Sequence, residues 1–162
     1  MSDSNDVATL RGLLQECRRI AVVGVSNDWN RPSHFVAKYL IAHDYTLIPV
    51  NPKYRQVLGR PCYPDLGSAS RAQGPIDLVD CFRRASDIEP IARDAIAIGA
   101  RCLWMQLGVI NEAAAALARA AGLAVVMDRC VKIEHARLFG GLGWAGVNTG
   151  IVSAKRPRQL PY

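Results

Sequence analysis

Apolar residues fall in four short runs along the chain: IAVVGV at 20–25, TLIPV at 46–50, IDLVDCF at 76–82 and LAVVM at 123–127. RCLWMQ at 101–106 is a weaker fifth. Each is strand length, and most are apolar throughout rather than alternating, the pattern of strands buried on both faces of a parallel sheet. Between the runs the periodicity is helical. Pro32 suits a first helical turn, where its missing N–H would have no partner, and Phe35, Val36, Tyr39 and Leu40 then share a face, so a helix should begin between residues 30 and 33. SDIE at 86–89 has the form of a capping box, with Ile88, Ile91, Ala92, Ala95 and Ile96 on one stripe and Gly99 at the exit. NEAAAALARAAG is built of strong helix formers between a capping Asn111 and a terminating Gly122. An earlier helix, about 7–17, turns Leu10, Leu13 and Leu14 inward. The order, a helix and then alternating strands and helices, predicts an α/β fold: one doubly wound, mostly parallel five-stranded sheet, Rossmann-like. Residues 1–150 are assigned to that domain and 151–162 to a basic tail.

Length and composition narrow the functions this fold can carry. With 162 residues, half of them apolar, the chain has room for one domain and its core. The apolar runs are too short to cross a bilayer, and the N-terminus lacks the basic-then-apolar order of a secretion signal, so a cytoplasmic location is expected. Cys17, Cys62, Cys81, Cys102 and Cys130 show no C-x-x-C spacing, which argues against a disulfide framework or a zinc site. A formal charge of +6 favours an anionic partner. Dispersed basic residues without RNA-recognition aromatics or finger spacing make nucleic acid the lesser choice, and a small phosphorylated ligand fits the charge equally well. The apolar helix EAAAALARAA needs cover, which suggests a homodimer.

The candidate chemistry lies at strand ends. In open parallel sheets the ligand sits beyond the carboxyl ends of the strands, and GVSNDWNRP follows the first of them. Gly24 permits a tight turn, the Ser26 hydroxyl and nearby N–H groups can bond phosphate oxygens, and the next helix aims its positive end at the same place. As a dinucleotide fingerprint the turn fails: Ser26 stands where the second glycine would be and Trp29 where the third would. The second strand ends in IPVNPKYR, without the acidic residue that bonds ribose hydroxyls in NAD-binding units. Lys53 and Arg55 instead bring positive charge, as suits a ligand with a phosphate near its ribose, such as coenzyme A or NADP.

These segments carry a resemblance. VVGVSNDWNRPSHFVAKYL, IPVNPKY, GRPCYPDL, IDLVDCFRR and QLGVINEAAAALARAAGLAVVMDRCVKIEH, in this order, resemble the small bacterial CoA-binding proteins of the YccU-like family, over about residues 7–150. The fold of that family is similar to the CoA-binding domain of the succinyl-CoA synthetase alpha subunit, where a V-x-P-x-K-like loop contacts CoA; Val50, Asn51, Pro52 and Lys53 stand in comparable positions. The resemblance implies Gly24, Ser26 and Arg31, with Asn30 in the same loop, on the pyrophosphate side, and Val50, Pro52 and Lys53 beside the adenosine. It implies no catalytic residue.

Other strand-end residues extend the binding set. Arg83 and Arg84 follow the third run, again at a carboxyl end, where one of them could reach a ligand phosphate; Arg83 is placed in the binding set. MDRCVKIEH gathers Asp128, Arg129, Cys130, Lys132 and Glu134 after the last run. Cys130 beside Arg129 and Lys132 reads either as a thiol of depressed pKa or as a cysteine packed under the sheet edge; Asp128 and Glu134 read as a cap and a surface pair. His34, His43 and His135 receive no role, and no Ser-His-Asp order or metal spacing completes a site. The glycine-rich GGLGWAGVNTG at 140–150 reads as a mobile loop, with Trp144 burying a hydrophobic edge. The expected function is binding of coenzyme A or an acyl-CoA without catalysis. The alternatives are an NAD(P)-dependent enzyme or redox sensor on the same fold, and a protein-interaction module with a vestigial site.

Overall fold

A computed structural model describes residues 6–140 of the chain. The elements run α1 (Val7–Glu16), β1 (Arg19–Val23), α2 (Pro32–Ala42), β2 (Thr46–Val50), β3 (Gln56–Val57), β4 (Arg60–Pro61), α3 (Leu66–Gln73), β5 (Leu78–Cys81), α4 (Ile88–Ala97), β6 (Cys102–Met105), α5 (Glu112–Ala120), β7 (Ala124–Val126) and α6 (Val131–Phe139). Five strands form one sheet in the order β2-β1-β5-β6-β7, every pair parallel. The chain leaves β1 for β2 on one side and returns past β1 to β5 on the other. The reversal therefore falls between β1 and β5, where doubly wound sheets open a crevice. β3 and β4 form a separate antiparallel hairpin.

Alternation along each strand divides the core in two. Ala21, Val23, Ile48, Val50, Val79, Cys81, Leu103 and Met105 pack toward α3, α4 and α5. Ile20, Val22, Leu47, Leu78, Cys102 and Trp104 pack toward α1, α2 and α6. Burying a side chain of this size contributes roughly 1.5–3 kcal/mol, so both faces are needed to hold the layers together.

Local signals set most helix ends. Asp6 caps α1 by accepting from the Thr9 N–H at 2.8 Å, and Asn111 caps α5 by accepting from the Ala114 N–H at 2.9 Å. Gly99 and Gly122 follow α4 and α5 at φ of +72° and +90°. The capping box at SDIE does not form. A 3-10 turn over Ala85–Asp87 runs directly into α4, so Ser86 lies inside a turn rather than at an extended cap, and Asp87 stands at the N-cap with no side-chain cap bond. Two helices were not anticipated. The short, polar α3 is capped by Asp65, which accepts from the Ser68 N–H at 2.7 Å, and α6 begins inside MDRCVKIEH, the cluster after the last run.

Candidate functional site

The site is built on Gly24. Its N–H donates to the Val50 carbonyl at 2.9 Å, and the Phe82 N–H donates to the Val23 carbonyl at 2.8 Å, so the turn is clamped between the ends of β2 and β5. Gly24 sits at φ +85°, and a Cβ there would collide with the Phe82 carbonyl oxygen and lie 2.8 Å from Arg83 Cδ. Only glycine lets the Arg83 side chain lie across this edge.

Beyond it, the β1–α2 loop is closed by its own polar groups. The Ser26 N–H donates to Ser33 Oγ, the Asp28 N–H to Ser26 Oγ and the Asn30 N–H to Asp28 Oδ1, each at 3.0 Å. His34 Nδ1 bonds the Ser26 carbonyl at 3.0 Å, which gives that histidine a loop-closing part. Arg31 is the N-cap of α2 and makes no side-chain cap bond; its guanidinium is 70% exposed, 4.0 Å from Asp28. A mostly free cation thus stands at the positive end of a helix.

Asn51 joins this loop to the next. Its Nδ2 donates to the Val25 carbonyl at 2.9 Å, while its Oδ1 accepts from the Lys53 N–H at 2.9 Å. Pro52 is thereby fixed beside Val50, and Lys53 projects outward with Nζ 5.5 Å from the Tyr54 ring centre.

A cleft of about 280 Å³ opens at the reversal point. It brings together Gly24, Val50, Asn51, Pro52 and Arg83 from the expected set. Ser26, Asn30, Arg31 and Lys53 belong to the two adjoining loops and do not line it. The remaining lining includes Leu66 and Ile91 as apolar walls and Asp65, Asp87 and Asp94 as carboxylates. Sequence reasoning missed these three acids, because α3 and α4 carry them to the cleft from far along the chain. Asp87 lies 3.9 Å from Arg83 and 3.4 Å from Arg84. The Ser68 amide lowers the pKa of Asp65.

The α6 region differs from expectation in three ways. Cys130 does not line the cleft; it is the N-cap residue of α6, packed against the α1/α2/α6 core, and burial raises its thiol pKa, outweighing the Ile133 and Lys132 amides and the Lys132 charge. A depressed pKa is therefore not found. Glu134 is not a surface residue: it is 1% exposed and bonded by Arg129 at 3.2 Å and Arg137 at 2.6 Å. Asp128 does not cap α6 but accepts from the Gly108 N–H at 2.7 Å. His135, beside it on α6, shares a 2.7 Å hydrogen bond with Tyr39, and burial lowers its pKa.

Deeper in the sheet, Asp80 on β5 is fully buried. Burial raises its pKa to about 8, against the opposing effect of a hydrogen bond from Gln106. No cluster of three or more His, Cys, Asp or Glu that could hold a metal ion occurs among the described residues, and no described helix is long and apolar enough to cross a membrane. The 141–150 segment with Trp144, and the 151–162 tail, lie outside the described residues.

Known proteins share this architecture. A model of the CoA binding domain matches residues 18–136. Protein YneT of Bacillus subtilis, itself uncharacterised, is 37% identical over 129 residues, covering 80% of this chain and 93% of its own. A solved structure from Pyrococcus horikoshii OT3 superimposes with a TM-score of 0.81 at 37% identity, over 86% of this chain and 96% of its own. A shorter match, 40% identical over 47 residues, joins 29% of this chain to 7% of an ADP-forming acetate–CoA ligase of Archaeoglobus fulgidus. Arrangement and sequence together place the chain in the CoA-binding domain family.

Proposed function

We propose that this protein binds coenzyme A or an acyl-CoA at the β1–β5 crevice and carries out no catalysis of its own. The observation that carries the reading is the glycine-edged cleft, flanked by the Asn51-linked loops, in a chain whose residues 18–136 match the CoA binding domain. In this reading the base and ribose enter the cleft between Val50, Pro52, Leu66 and Ile91. The pyrophosphate lies over Gly24 toward the N-terminus of α2, where Arg31 can bond two phosphate oxygens at once. Lys53, just outside, meets the ribose-linked phosphate. CoA bears about four negative charges at neutral pH, and the +6 chain offers a favourable field. A cytoplasmic location and a homodimer belong to the same proposal.

A second reading has one observation in its favour. Asp65, Asp87 and Asp94 supply to the cleft the carboxylates that the end of β2 lacks, and ribose hydroxyls of NAD would find acceptors among them. Mass spectrometry of the ligand that co-purifies under native conditions separates the two. CoA or an acyl-CoA is expected; a nicotinamide dinucleotide in its place overturns the first reading.

A further inference from the structure

Buried polar groups cost stability unless they are paired, and one pair here is incomplete. Asp80 Oδ1 accepts from Gln106 Nε2, but Asp80 Oδ2 is fully enclosed and has no partner among the described residues. An unsatisfied buried oxygen costs about 1–3 kcal/mol, and an apolar residue on β5 would avoid that cost. The pair also has a defined place. Asp80 is in register with Val22 on β1 and Trp104 on β6, side chains that pack toward α1, α2 and α6. Gln106 directly follows β6, and its N–H donates to the Cys81 carbonyl at 3.4 Å, at the end of the strand that leads to Arg83 in the cleft. The entry to α6 lies over the same strand end: Trp104 Nε1 donates to the Arg129 carbonyl at 2.8 Å, and the Arg129 N–H to the Met105 carbonyl at 3.3 Å.

With Nε2 committed to Asp80, the Gln106 amide has one orientation. Its Oε1 has no donor among the described residues, and the side chain keeps a small exposure, 4% for the residue. The cleft, edged by Gly24, opens toward α3 and α4, and Gln106 does not line it; its bonded partner Asp80 lies in register with Val22 and Trp104, whose side chains pack on the opposite face.

We propose that Gln106, oriented by the buried Asp80, is the contact for the pantetheine arm of the ligand, accepting from one of its N–H or S–H groups. This rests on the CoA reading. The adenosine half occupies the cleft toward α3 and α4, the phosphates cross the sheet edge at Gly24, and the arm runs toward α6. From β1 to β6 is two strand spacings of about 4.8 Å. An arm built of about three peptide-like units spans roughly 10 Å when extended, which is enough. Gln106 is the contact and Asp80 a positioning residue. Burial also keeps the Asp80 carboxyl largely protonated at neutral pH, so no second negative charge is set beside an anionic ligand.

Calorimetry with CoA and with adenosine 3′,5′-bisphosphate, which lacks the arm and the outer phosphate of the pyrophosphate, tests this through the change in their ratio between variants. The wild type is expected to favour CoA. Gln106→Met should narrow the ratio of the two affinities three- to tenfold, the worth of one hydrogen bond, while bisphosphate binding holds. Asp80→Leu should do the same, and Asp80→Asn, which keeps a carbonyl acceptor for Gln106, should restore the wild-type ratio. A ratio unchanged in Gln106→Met, or both ligands weakened equally, overturns the proposal. Bisphosphate bound as tightly as CoA by the wild type overturns it and leaves the cleft reading standing, whereas failure of the wild type to bind either ligand overturns both.

Discussion

The two faces of the central sheet share their strands and differ in kind. Toward α3, α4 and α5 the buried side chains are apolar and many are small, among them Ala69, Ala92, Ala95, Ala114, Ala115 and Ala118. Toward α1, α2 and α6 lie Ser33, Asp80, Gln106, Glu134 and His135, all the buried polar and charged residues among those described. A single strand shows the division: in β5, Val79 and Cys81 face one layer while Leu78 and Asp80 face the other. One face is a packing surface that presents an open cleft at its top. The other holds its polar groups by specific bonds: Ser33 to the Ser26 amide, Asp80 to Gln106, Glu134 to two arginines and His135 to Tyr39.

If that contrast is sound, the largest effect should come from breaking the buried ion pair. Glu134→Ala removes the buried carboxylate that Arg129 and Arg137 share and is expected to cost about 3 kcal/mol, the two charge-assisted hydrogen bonds being partly offset because solvent reaches both arginines. Urea unfolding measures it; a loss under about 1 kcal/mol would mean that the charges are solvated and the polar face is not held as described. Asp80 sharpens the comparison through pH. Its folded pKa of about 8 lies above the unfolded value of 3.8, so the protonated form favours folding. Its contribution is fully present below about pH 4 and is lost as pH rises toward 8. Asp80→Asn should therefore gain stability relative to wild type between pH 5 and 9, by a few kcal/mol at about 1.4 kcal/mol per unit. A difference that stays flat over that range refutes the assignment.

At the boundary between the faces, Gly24→Ala should cost roughly 1–3 kcal/mol for backbone at positive φ, and more if Phe82 cannot shift. It should also weaken CoA binding by displacing Arg83, and an alanine variant with wild-type melting temperature and CoA affinity would show the edge to be open. The smallest effect is expected on the apolar face. Asn111→Ala removes one cap from α5 and should cost about 1 kcal/mol with no change in CoA affinity, since the Asn111 side chain bonds the Ala114 N–H and the Ala85 carbonyl and does not line the cleft. A change in affinity would tie α5 to the site.

The strands and most helices were legible because their signals are local. IAVVGV, TLIPV and LAVVM carry their burial in their own composition, and Pro32, Asn111 and Gly122 mark ends by their own chemistry. α3 was not legible: LGSASRAQ has little apolar pattern, and its start depends on one Asp65–Ser68 bond. α6 was hidden because its inward face carries Glu134, which reads as a surface residue, and His135, which receives no role, until Arg129, Arg137 and Tyr39 are placed around them. The glycine turn and the Val50–Pro52 loop could be found at strand ends. Asp65, Asp87 and Asp94 could not, because only the crossover from β2 past β1 brings their helices to the cleft.

Ligand choice at the crevice is the central claim, and titration of CoA and NAD⁺ against the wild-type protein, at the same ionic strength, tests it most directly. Arg31→Ala accompanies them, because its exposed guanidinium at the N-terminus of α2 should contribute about 1.5–3 kcal/mol to CoA binding. The account predicts that CoA binds more tightly than NAD⁺ and that Arg31→Ala weakens CoA by that amount while the melting temperature holds. NAD⁺ binding equally or more tightly, or CoA affinity unchanged in Arg31→Ala, would contradict it.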